Sequence, residues 1–188
     1  MKLRHITDIF TVITFVFLLA SCTTHIEEYQ ETTPNFDIAE YFNGELVAWG
    51  IVQDYNRKLT RRFCVELNGQ WQGNRGDLYE QFYFADGERS SRHWRLEKLP
   101  SGIVTGTADD VDGVASGQSQ GMAFQWQYYL NVAVGDTSYE FFLDDWMYQL
   151  DQYRLFNRSY MKKFGVTLAE ISIFFDKEAT NKTCSTFK

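Results

Sequence analysis

The chain has 188 residues, 44% of them hydrophobic and 23% charged, with a formal net charge of −7 and a pI near 5.0. That length supports one domain with a real core. An aromatic content of 17% argues against disorder, 13 Gly and 2 Pro against a collagen-like or linker-like chain, and the acidic balance against nucleic acid as a partner.

Lys2 and Arg4 form a short basic head, followed by an uncharged apolar run at residues 9–20 and small residues before Cys22. This layout predicts a secretory signal peptide over residues 1–21; the run is too short for a transmembrane helix. The string Leu19-Ala20-Ser21-Cys22 resembles the bacterial lipobox, in which the cysteine is diacylated and the chain is cut in front of it. Cys22 is therefore the expected lipidation site, and the acyl chains the expected link to a membrane. Thr23 after the cysteine resembles the sorting rule for lipoproteins at the periplasmic face of a Gram-negative outer membrane. Removing residues 1–21 takes away Lys2, Arg4 and Asp8 and moves the net charge to −8. An acidic body is mildly repelled by anionic lipid, which leaves the anchor to hold it there. Residues 22–34 are polar, acidic and aperiodic and end at Pro34, so they are expected to be a flexible tether.

The barrel domain is expected over residues 35–188. A short helix is expected at residues 37–41, and a second helical candidate at residues 158–163. Elsewhere the dominant period is two. Arg61, Phe63, Val65 and Leu67 share a face, with Cys64 and Glu66 opposite. Phe124, Trp126, Tyr128, Leu130 and Val132 share another, and Tyr139, Phe141 and Leu143 a third. Further strands are expected near residues 46–54, 78–84, 92–99, 103–108, 114–118, 152–158 and 166–177. Turn chemistry separates them, including Asn68-Gly69, Asp86-Gly87 and Gly135-Asp136. About eight to ten strands with no long crossovers predict an all-β, antiparallel up-and-down barrel, since closure removes raw sheet edges. With Cys22 lipidated, Cys64 and Cys184 remain, and an oxidising compartment makes a disulfide between them plausible.

The run of motifs Tyr41-Phe42-Asn43-Gly44, Ala48-Trp49-Gly50, Trp71-Gln72-Gly73, Leu78-Tyr79-Glu80-Gln81-Phe82, Asp109-Asp110-Val111-Asp112-Gly113, Asp144-Asp145-Trp146-Met147, Asn157-Arg158-Ser159 and Lys163-Phe164-Gly165 resembles the DUF3833 lipoprotein family along essentially the whole mature chain. That resemblance implies no particular activity. The opening Asn35-Phe36-Asp37 and Tyr41-Phe42-Asn43-Gly44 resemble, more weakly, the start of a lipocalin; Glu45-Leu46 stand where that pattern has its tryptophan. A lipocalin-like or calycin-like barrel with a short N-terminal helix is the fold this implies.

The chemistry is sparse. After residue 21 the only histidines are His25 and His93, so a three-His zinc site cannot be built, and no metal or cofactor is expected. Asp109, Asp110 and Asp112 fail the spacing of a calcium loop and read as turn acids. Asp144 and Asp145 lie in an aromatic strand, where alternation puts one of them inward; Arg61 is the candidate partner. The expected function is a barrel that holds an apolar ligand such as a fatty acid or phospholipid. Trp126, Tyr128, Phe141 and Trp146 would line the pocket, and Arg61 with Asp144 or Asp145 would orient a polar end. A structural or assembly lipoprotein contacting an envelope partner is the alternative, and a lipid-modifying enzyme using the acid clusters is a third.

Overall fold

The structure, a computed structural model, describes residues 24–179 and 183–188. The signal-peptide and lipidation expectations at residues 1–21 and Cys22 lie outside the described residues. Ten strands follow in chain order: β1 (Gly44–Asp54), β2 (Leu59–Gln72), β3 (Arg75–Phe84), β4 (Arg89–Lys98), β5 (Val104–Thr107), β6 (Val111–Gln120), β7 (Ala123–Val134), β8 (Thr137–Gln149), β9 (Arg154–Lys163) and β10 (Val166–Asp176). Each pairs antiparallel with its sequence neighbours, and β10 returns to pair with β1. The result is a closed up-and-down barrel that fits a lipocalin-like fold with ten strands. Among the described residues, helix is confined to a 3-10 turn, Ile26–Tyr29, and a single α-turn, α1 (Ile38–Tyr41).

The two-residue period explains the closure. Alternate positions of every strand turn one set of side chains inward, and the inner set is apolar enough to form one core. Phe124, Leu46, Leu143 and Leu155 are almost wholly buried there. The barrel has unlike ends. The turns after the even-numbered strands lie at one end, which Phe36, Ile38, Tyr41 and Phe42 plug. Asp37 accepts from the backbone amides of Ala39 and Glu40 at the start of α1 and pairs with Lys98 at 2.6 Å. Tyr41 donates its hydroxyl to the Tyr153 carbonyl at 2.9 Å, which ties the plug to the foot of β9. The turns after the odd-numbered strands form the other end, where no such plug is built among the described residues.

Three expectations are corrected here. Residues 158–163 are strand, not helix: Ser159 faces the core, and its neighbours on β8 and β10 claim the backbone. The Asn68-Gly69 pair is not a turn; β2 runs straight through it and turns at Gly73-Asn74. Gly69 serves a close approach instead, because a Cβ there would overlap the carbonyl oxygen of Phe42 in the plug. Gly69→Ala is expected to lower stability by about 3 kcal/mol, the upper end for overpacking, measured as a shifted denaturant midpoint; Gly73→Ala should leave the plug untouched.

The third correction concerns the tether. Residues 24–36 lie against the barrel wall. Ile26 is 3% exposed and packs with Ala123 and Trp146. Tyr29 meets Tyr148, the Thr32 hydroxyl accepts from the Met122 amide at 3.0 Å, and Phe36 donates its amide to the Gly121 carbonyl at 2.8 Å. Polar composition hides these anchors, and Ile26, Tyr29, Thr32 and Phe36 together hold the segment down.

The structure joins Cys64 and Cys184 in a disulfide with Cα atoms 5.5 Å apart. Glu66 fixes the same tail by accepting from the Cys184 amide at 2.7 Å and the Thr183 hydroxyl at 2.9 Å. Core, closure and disulfide are all built from described residues between 24 and 188.

Candidate functional site

Inside the barrel, between the plug and the open end, lies a cavity of about 380 Å³. Small-molecule sites typically measure about 300–1,000 Å³. Rings of Phe63, Phe82, Phe84, Trp94, Trp126 and Tyr128 line it together with aliphatic side chains. They pack as two sets, Phe63 against Phe82 and Phe84, and Trp94 edge-on to both Trp126 and Tyr128. Gly106 and Gly117 leave room for the Trp126 ring; a Cβ at either would overlap it. Trp126 is thereby pinned flat against β5 and β6 as a fixed part of the wall.

One side of this greasy interior is polar. Asp145 is 7% exposed and accepts hydrogen bonds from the Ser159 hydroxyl and, at 3.3 Å, from the Tyr128 hydroxyl. Burial pushes its carboxyl up to about 7, with Ser159 pulling the other way. Glu80 points inward beside Leu78 and Phe82, and burial pushes it up to about 7 as well. Its Oε2 has no hydrogen-bond partner among the described residues and lies 3.8 Å from Arg92 Nη1. Arg92 is committed elsewhere: its Nε and Nη2 both donate to the Asp110 carboxylate, at 2.9 and 2.7 Å. Two carboxyls that hold protons near neutrality thus face a guanidinium already neutralised by a third acid.

Of the expected site residues, Arg61, Trp126, Tyr128 and Asp145 border the cavity. Phe141 packs against the core near the open end without bordering the cavity. Trp146 and Asp144 do not line it. They share the opposite parity to Leu143 and Asp145 on β8, so both point out of the barrel. Trp146 covers Ile26 of the docked N-terminal segment. Asp144 accepts from Gln125, Gln127 and Lys162 on the outer wall. Burial works against its charge, yet Lys162 and the two amides hold its carboxyl below the usual range. Arg61 pairs with neither aspartate. It sits at the open end, 3.7 Å over the Phe84 ring, and binds Asp86 and Glu88 of the β3–β4 turn at 2.9 and 2.8 Å. That turn curls back over the start of β2, whereas Asp145 lies deeper and across the barrel.

The turn acids Asp109 and Asp110 serve Arg95 and Arg92. His93 lies on the outer wall, stacked on Tyr79 and 2.6 Å from Asp77. Among the described residues no group of three or more His, Cys, Asp or Glu side chains is placed to hold a metal ion.

A family model described as protein of unknown function, DUF3833, matches residues 16–177. The chain belongs to the DUF3833 family. The matched span takes in all ten strands of the barrel and therefore the whole cavity. No curated protein matches the chain.

Residue by residue, the polar interior of this DUF3833 barrel was only half legible. Glu80, Arg92, Asn157 and Ser159 also border the cavity, beyond the residues the sequence points to. A signal for the first two existed: Glu80 alternates with Leu78 and Phe82, and Arg92 with Trp94 and Leu96, so both sit on apolar faces. Nothing local signalled that Asp110, in a connection between strands, reaches back to Arg92.

Proposed function

We propose that this protein is a membrane-anchored envelope lipoprotein whose barrel takes up the acyl chain of a fatty acid or phospholipid-like molecule. The observation that carries the reading is the ring-lined cavity, shut by the plug at one end and unplugged at the other. Burial of apolar surface in such a cavity supplies the affinity. The polar groups favour entry tail first. A carboxylate driven to the depth of the cavity would meet Glu80 and Asp145, while Arg92 is held by Asp110. A polar head left at the open end would meet Arg61 instead. For the anchor, the lipobox string ending at Cys22 supports diacylation there, with the outer membrane's periplasmic face as the location.

The test is native mass spectrometry of the purified chain. It is expected to carry one co-purified lipid, released by organic extraction and restored by adding phospholipid. Val52 and Ile171 face each other across β1 and β10 and both border the cavity. Val52→Trp with Ile171→Trp should cut occupancy at least tenfold while the barrel stays folded. A wild-type chain that is empty and takes up no lipid refutes the reading. Labelling with radioactive palmitate should be lost in Cys22→Ser.

A further inference from the structure

The open end carries a surface that the cavity does not explain. Phe164, at the β9–β10 turn, is 94% exposed and has a φ of 52°. A bulky side chain in the left-handed region is disfavoured, and glycine would relieve it. Here the chain spends that conformation on holding an aromatic ring out in solvent. Val166 beside it is 60% exposed, Tyr55 in the neighbouring β1–β2 turn 74%, and Leu59 48%. These two turns are adjacent because β1 pairs with β10. Asp54 lies opposite Ala169, so the β9–β10 tip overhangs the end of β1 by about 10 Å at strand rise. Tyr139, at the still longer β7–β8 hairpin, adds another exposed ring.

Charge at this tip differs from charge on the body. Lys163 Nζ lies between the rings of Phe164, Phe141 and Tyr139, and Arg57 and Lys58 occupy the β1–β2 turn. None of these three cations forms a salt bridge among the described residues. Of the nearby acids, Asp54 accepts from the backbone amides of Asn56 and Lys58, and Asp86 and Glu88 are held by Arg61. Asp136 and Glu140 remain on the β7–β8 hairpin. Protruding rings with lysine and arginine beside them, on a chain of net charge −7, are the combination that enters a lipid headgroup layer.

A second observation gives the same direction. The docked N-terminal segment runs up the wall from the plug, and Thr24 and His25 share an outer groove with Lys162, Gly165 and Thr167. The same groove reaches back to Trp146 and Tyr148, so the described chain starts on the outer wall below the β9–β10 tip and heads toward it. Cys22 is two residues further, a reach of about 7 Å.

We infer that the open rim of the barrel, centred on Phe164, Val166, Tyr55 and Lys163, docks onto the lipid bilayer, so that the cavity mouth faces the membrane. The acyl-lipid reading above gives this docking its use, since a lipid could then pass between bilayer and barrel without crossing water. The surface itself stands on exposure, charge and the path of the N-terminal segment.

The experiment takes the full chain with Cys22→Ser, which removes the anchor, checks its fold by circular dichroism, and measures flotation with vesicles of phosphatidylethanolamine and phosphatidylglycerol. Binding is expected, weaker in high salt. Phe164→Asp with Val166→Asp should reduce it at least tenfold, and Lys163→Glu with Lys58→Glu should remove most of its salt dependence. Phe164→Gly separates docking from folding: its Tm should hold or rise while vesicle binding falls several-fold. Wild type that stays off vesicles, or a double aspartate variant that binds as well as wild type, overturns the inference. So does a photocrosslinker at position 164 that captures one protein in place of lipid in cells. Occupancy by native mass spectrometry is read on the same variants. Lost docking with retained lipid confirms that the rim and the cavity act separately; docking by a chain that takes up no lipid supports the rim and refutes only the cavity reading.

Discussion

Reducing or removing the Cys64–Cys184 bond should lower stability by about 4–5 kcal/mol, the value the chain-entropy account gives for a loop of this length. The two cysteines are 120 residues apart in a chain of 188, so the bond closes a long loop in the unfolded chain. In the folded state it fastens a tail to the outer wall beside Val47 and Ala179. The barrel does not need it to close, because β1 and β10 are joined by eight paired positions of their own. A Cys64→Ser, Cys184→Ser chain should therefore still fold, with a Tm lower by on the order of 10 °C at this size. Glu66 would continue to hold the tail through Thr183 and the backbone of residue 184. Thermal melts with and without reductant measure the effect. An unchanged midpoint on complete reduction would show that the tail adds nothing to the constraint.

Raising the pH from 5 to 8 should destabilise the barrel, and Glu80→Gln with Asp145→Asn should abolish most of that loss. Both carboxyls are pushed up to about 7 by burial. Between about pH 4 and pH 7 the folded chain holds protons that the unfolded chain has released. The stability they contribute is complete below the unfolded values and is lost as pH rises through 7. Each site can account for up to about 3 kcal/mol, at about 1.4 kcal/mol per pH unit of displacement. Glu66 and Asp144 act in the opposite sense. Their carboxyls are held below the usual range, so their contribution is present above about pH 4 and is lost as pH falls further. Denaturant midpoints across pH 3 to 9 should thus peak near pH 4–5. Glu80→Gln also tests the unpartnered Oε2: at pH 8 it should raise stability by about 1–3 kcal/mol, because it removes a buried charge that Arg92 does not fully serve. A flat profile in the wild type would mean that both groups are wetted.

The architecture was largely written in the two-residue alternation. Phe63 and Val65, or Trp126 and Tyr128, can share a face only if their segments are strands, and enough strands without crossovers must curl shut or leave raw edges. The same parity rule places Asp145 inward with Leu143 and sends Trp146 outward, away from the pocket and onto Ile26. Asn68-Gly69 misled for another reason. Its composition suits a hairpin, but what selects glycine there is the carbonyl of Phe42 pressing on β2 from the plug.

What no local pattern could supply was the pairing of groups far apart in the chain. Arg61 found Asp86 and Glu88, Arg92 found Asp110, and Ile26 found Trp146, each across separations of 18 to 120 residues. Alternation specifies which side of a strand a residue faces, since that depends only on neighbours in sequence. Height along the barrel, and hence which charges meet and where the hollow lies, follows from registers between strands and from the plug. Those are set when the ring of ten strands closes, and closure is a property of the whole chain.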